Sequence, residues 1–70
     1  MTKLEIRSYN VSSIGYDSEK EVLEITFISG ETYRHHGVPQ SVYDSLIQSQ
    51  HIGYYLHYFI RTTYPYTKVH

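Results

Sequence analysis

The sequence predicts an α+β fold: a three-stranded antiparallel meander followed by two helices packed on one face, with room for an extra N-terminal strand. Three observations carry this. Residues 22–28 alternate, with Leu23, Ile25 and Phe27 on one side and Val22, Glu24, Thr26 and Ile28 on the other. Polar or glycine-containing turns, Asp17-Ser18-Glu19-Lys20 and Ser29-Gly30, bracket that run. After Pro39 the apolar spacing lengthens to the helical period, through Val42, Tyr43, Leu46 and Ile47 and again from Ile52.

Each element follows in order. Leu4 and Ile6 alternate with Lys3, Glu5 and Arg7, which suits a short strand, or an arm over residues 1–10 that pairs with a neighbour. Residues 11–16 read as the first firm strand, residues 22–28 as the second and residues 31–36 as the third. Loop parity decides what the third strand buries. A three-residue loop of Ile28, Ser29 and Gly30 would pair Phe27 with Glu31, Ile25 with Tyr33 and Leu23 with His35, putting Tyr33 and His35 on the core face. A two-residue loop would turn them over. The odd loop buries Tyr33 beside Ile25 and leaves Arg34 and His36 outward, so it is the expected one. Pro39 suits a helix's first turn, where its missing N–H costs nothing, and that helix should reach about residue 49. The second begins after His51 and ends near Thr62 or Thr63, because Pro65 holds Tyr64 extended.

Seventy residues form one domain, 1–70, with its core in residues 11–66. A chain this short buries only about 60% of its unfolded surface, and small domains add disulfides, a metal or self-association. With no cysteine the first is excluded, as are thiolate metal sites, so a homo-oligomer is expected. No signal peptide and no apolar run of about 18 residues is present, so the expected setting is the cytoplasm (the host cytoplasm for a phage-encoded chain), with no membrane partner. Net charge is −1: residues 1–31 hold three bases and six acids, residues 32–70 three bases and one acid. Any anion would meet the C-terminal half, but three cations are not a polybasic surface.

Helical spacing divides the tyrosines near the C-terminus. Ile52, Tyr55, Leu56, Phe59 and Ile60 fall at i, i+3, i+4, i+7 and i+8, a face packed on a core. Tyr54, Tyr58 and Arg61 form a second stripe, with His57 at its edge. That stripe suits a subunit interface, where Tyr and Arg are enriched, or a platform on which a base stacks while Arg61 meets phosphate. A metal site is not expected, because His35 and His36 point to opposite faces and His51 and His57 are six apart. No nucleophile motif, carboxylate pair or glycine-rich phosphate loop appears, so neither an enzyme nor a cofactor is expected.

Taken together, the stretches SSIGYD, LEITF, SGETYRHHGVP, GYYLHYFIR and YPY resemble the KTSC domain, found at the C-terminus of some lysyl-tRNA synthetases and as stand-alone bacterial and phage proteins. The resemblance spans residues 11–66 and is most specific at Tyr33 to Pro39 and at Gly53, Ile60, Arg61 and Tyr64. It implies an RNA-binding role through the synthetase context. Three departures accompany it: Tyr33-Arg34-His35 replaces the family's Tyr-x-Tyr, His57 stands where Asn is usual, and Tyr58 and Phe59 replace polar residues.

The expected function is a non-enzymatic oligomeric binder that captures a nucleotide or cyclic nucleotide between subunits, such as a phage sponge that sequesters a host defence signal. An RNA-binding or protein-interaction module is the alternative. Tyr54, Tyr58, Arg61, His57, Arg34, His36, Tyr64 and Tyr66 are the expected ligand-binding residues, since aromatic faces with a few cations suit a nucleotide better than a polymer.

Overall fold

Residues 2–8, as backbone, and residues 10–69 are described by a computed structural model. The chain runs β1 (Thr2–Ser8), β2 (Val11–Asp17), β3 (Val22–Phe27), β4 (Thr32–His36) and α1 (Gln40–Gln48). It continues through α2 (Ile52–Tyr55), a π-helical turn (Leu56–Ile60), α3 (Arg61–Thr63) and β5 (Tyr66–Lys68). The strands form one antiparallel sheet in sequence order. The N-terminal strand is present and pairs with β2; the facing of Leu4 and Ile6 lies outside the described residues.

Turn chemistry sets the pairing. Asp17 Oδ1 accepts the N–H groups of Glu19 and Lys20 at 3.1 and 3.2 Å, closing the β2–β3 turn. Between β3 and β4, Gly30 sits at φ +97°. Its N–H donates to the Phe27 carbonyl at 2.9 Å, while Phe27 N–H donates to the Glu31 carbonyl at 2.8 Å. The loop therefore holds three residues, and Ile25 pairs with Tyr33 and Leu23 with His35. The odd-loop expectation holds.

The fifth strand is a departure from the three or four strands expected. Tyr66–Lys68 pairs with β4, and His36 N–H donates to the Pro65 carbonyl at 2.9 Å. Three residues are too short to show a period of two, so tertiary pairing alone defines this strand.

One face of the sheet carries the core. Ile14, Leu23 and Ile25 are fully buried against Val38, Leu46, Leu56 and Ile60. Tyr16 stacks on Tyr43 of α1, rings 4.5 Å apart and 8° from parallel, and its hydroxyl donates to the Val38 carbonyl. The other face is a polar ladder of cross-strand pairs: Thr26 with Thr32 at 3.2 Å, Arg34 Nε with Glu24 Oε2 at 2.9 Å, and His36 with Thr67 at 3.1 Å.

The second helical segment starts and stops where the sequence predicts, but it is not α-helical throughout. Arg61 N–H bonds the Leu56 carbonyl, five residues back, and this widens the turn. Leu56 and Ile60 both stay buried, and Phe59, expected in the core, is rotated outward to 42% exposure. A wider turn advances each residue by a smaller angle, so Phe59 falls short of the core line that strict α spacing would give it.

Replacing Gly30 with Ala should lower stability by about 1–2 kcal/mol, because a Cβ is disfavoured in the left-handed region. Its surroundings are open, with nothing within 4 Å of an added Cβ, so a fall in the urea midpoint would report backbone strain alone. An unchanged midpoint would refute that account.

Candidate functional site

Leu46, Leu56 and Ile60 pack on the core face of the sheet, and part of that face borders open space. There a groove of about 570 Å³ lies between the sheet and the second helical segment. Ile25, His35, Gly53 and Leu56, all buried, form its deep side. Gly53 brings no side chain to this surface, which keeps the space open.

Aromatic rings make the sheet-side wall. Phe27 meets Tyr33 edge-on with centroids 5.7 Å apart, and Tyr33 meets Tyr66 edge-on at 5.4 Å. Register produces this row, since Ile25 sets Tyr33 and His35 sets Tyr66 on one face. Tyr66 also packs on the His35 ring at 5.3 Å.

Polar groups gather at the mouth. Arg61 directs Nη1 at His57 Nδ1, 3.4 Å away, and both line the groove with Asn10, Ser29 and Glu31. Lys68 pairs with Glu31 at 3.0 Å. Its hydrogen bond and charge hold the Glu31 carboxyl below its ordinary value, and Glu31 in turn raises Lys68. With that acid neutralised, the Arg61 guanidinium remains as a cation at the mouth. Its planar fork suits a phosphate or carboxylate.

His35 is only 7% exposed, and its Nδ1 has no hydrogen-bond partner. Burial pushes its pKa below the ordinary 6.5; a hydrogen bond to the Tyr64 backbone works the other way, and the neighbouring His36 adds to the lowering.

The fold recurs in known proteins. The KTSC domain family profile matches residues 7–64. The chain belongs to the KTSC domain family. The KTSC domain protein from Yersinia pestis, known from a crystal structure, superposes with a TM-score of 0.91 at 26% identity, over 99% of this chain and 97% of that one. An uncharacterized protein of Stutzerimonas stutzeri is 36% identical over 53 residues, 76% of this chain and 75% of its own length. A protein of Tsukamurella paurometabola is 27% identical over 56 residues, covering 80% of this chain and 84% of the relative.

The KTSC fold divides the eight expected ligand-binding residues. Arg61, His57 and Tyr66 meet in the groove. Tyr54 and Tyr58 pack ring to ring at a tilt of 36°, centroids 4.3 Å apart, and stay 60% and 57% exposed outside the groove lining. The widened turn separates them from Arg61, which a regular α-helix would have placed on their stripe, while Arg61 keeps its i, i+4 neighbour His57. Arg34 and His36 lie on the opposite, polar face, paired as described. Tyr64 is half-buried and packs against the core. Phe27, Tyr33, His35 and Gly53 also line the groove; strand alternation and loop parity had placed the first three on its face, and Gly53 had not been singled out for it. A glycine inside a helical stretch, which costs about 1 kcal/mol relative to Ala, was the signal for the remaining space. Among the described residues no three His, Asp or Glu side chains gather as a metal site, and no helix is long and apolar enough to cross a membrane.

The His35 shift fixes a pH dependence. As pH falls below 6.5 the unfolded chain takes up a proton before the native imidazole does, so stability declines with acidification until the depressed native value is passed. Between about pH 7.5 and pH 5.5 the melting temperature should fall more steeply in the wild type than in His35→Phe. Parallel curves would show that His35 titrates as an exposed histidine does.

Proposed function

We propose that this KTSC domain is a non-enzymatic binding protein that captures a small nucleotide, its base on the Phe27–Tyr33–Tyr66 wall and its phosphate at Arg61 and His57. The observation that carries this reading is the groove itself: three edge-packed rings facing an arginine–histidine pair across about 570 Å³. That volume lies within the roughly 300–1,000 Å³ typical of small-molecule sites. Aromatic faces supply stacking and the guanidinium a charge-assisted contact, the two things a nucleotide requires.

A nucleic-acid polymer fits less well. Its affinity comes chiefly from many cations along a track, whereas Arg34 faces away in a pair with Glu24 and Lys68 is paired with Glu31. Capture without turnover removes the ligand from solution, which is how a sponge for a nucleotide signal, cyclic or linear, would act. Self-association belongs to the same proposal. The exposed Tyr54–Tyr58 pair adjoins the mouth through His57, whose ring meets Tyr58 edge-on at 4.8 Å, so a second copy docked there would help close the groove.

Thermal denaturation with AMP, GMP, CMP, UMP, their cyclic forms and cyclic dinucleotides tests the site. A ligand at a hundredfold excess over Kd adds about 2.7 kcal/mol, which is roughly 10 °C or more in a domain of this size. Arg61→Ala should weaken the best ligand about tenfold or more, the worth of a charge-assisted hydrogen bond. Tyr54→Ala should leave affinity in a single chain unchanged while lowering the mass measured by light scattering. If no nucleotide shifts the melting temperature, or a short RNA binds more tightly with a steep salt dependence, the reading fails.

A further inference from the structure

Buried polar atoms without partners are rare in folded proteins and call for a physical reason. His35 Nδ1 is such an atom, and its residue lines the groove. Burial keeps the imidazole neutral, and a neutral imidazole has a single N–H. The Tyr64 main chain favours the protonated ring, and with the single N–H on Nε2 the buried Nδ1 has a lone pair and nothing to bind it. In a packed interior, such an acceptor is a standing cost that a partner removes.

We infer that His35 is the residue by which the groove selects its ligand: Nδ1 accepts a hydrogen bond from the amino group of a nucleobase whose phosphate lies at Arg61. This rests on the proposed nucleotide site and deepens it by naming the class of base. The neighbouring groups agree with it. Tyr66, 47% exposed on a three-residue edge strand, packs over the His35 ring. Nδ1 is shut off from solvent, so the base reaches it when the Tyr66 ring turns aside, and that ring then stacks on the base. An edge strand this short, with its side chains exposed, is the part of the sheet best able to yield. An amino group satisfies the lone pair. A ring position without N–H leaves the acceptor buried and unpaired, and this mismatch discriminates strongly.

Wild type and His35→Phe are to be titrated with AMP, CMP and GMP. Each is compared with its analogue lacking the amino group: purine ribonucleoside 5′-monophosphate, 2-pyrimidinone ribonucleoside 5′-monophosphate and IMP. For the nucleotide that binds best, the wild type should prefer the amino form by about tenfold, and His35→Phe should bind both forms within about twofold of each other. A wild type with no preference, or a variant that keeps it, overturns the assignment. Nitrogen-15 NMR of the wild-type imidazole needs no variant to fold. Free protein should show an unprotonated Nδ1 whose signal moves when the amino nucleotide binds; a protonated Nδ1, or one that stays unmoved, overturns the assignment too. The two readings fail separately. A nucleotide that raises the melting temperature without moving Nδ1 keeps the site and removes the role of His35, while a panel with no stabilising nucleotide removes both.

Discussion

The left-handed conformation of Gly30 governs the rest of the molecule. Its φ of +97° closes a three-residue loop and so fixes the parity of β4 against β3. Side chains alternate along a strand, and a slip of one residue would exchange the two faces entirely. Tyr33 and His35 would then lie on the open face, and Arg34 and His36 would face the helices. The polar ladder and the aromatic wall are therefore two results of one turn. β5 inherits the same choice, because Tyr66 pairs with His35 and Lys68 with Tyr33.

A second constraint acts from the helical layer. Leu56 and Ile60 are both anchored in the core, and between them the backbone takes the wider π-helical path that ends in the bond from Arg61 N–H to the Leu56 carbonyl. Such turns have poorer hydrogen-bond geometry than α-helix and occur often at functional sites. Here the consequence is spatial. The turn carries Arg61 off the Tyr54–Tyr58 stripe while keeping it beside His57 at the groove, and it leaves Phe59 partly exposed. One change of pitch separates a surface aromatic pair from a polar mouth.

Which features were legible in the sequence follows from the range of the forces involved. Strand alternation, the parity of the Gly30 loop, the Pro39 helix start and the Pro65 stop are decided within a few residues, and all could be read. The family was legible too, through ordered short motifs from Ser12 to Tyr66. The π-helical turn was not, because helical spacing arguments assume a constant pitch. β5 was not, since three residues owe their conformation to a strand some thirty positions earlier. The groove could not be read directly, because it depends on how the helical segment packs against strands far from it in sequence. Of the expected ligand-binding residues, Arg61, His57 and Tyr66 line the groove together because one helical segment and one strand edge converge there. Arg34 and His36 lie on the other face of the sheet, by the same parity that was read correctly.

A chain of seventy residues has little core to spare, and this fold leaves a groove open between its aromatic sheet face and the second helical segment. It also buries His35 Nδ1 without a partner. Both features lower stability: exposed apolar surface forgoes about 25 cal/mol per Å², and an unpaired buried acceptor costs about 1–3 kcal/mol. The same two features define the groove, so ligand capture as proposed would draw on the residues that fold the chain. A planar ligand with an N–H donor and an anionic group would cover the rings, pair the acceptor and meet Arg61, completing the core rather than adding to a finished surface. Stability and occupancy are then linked by mass action.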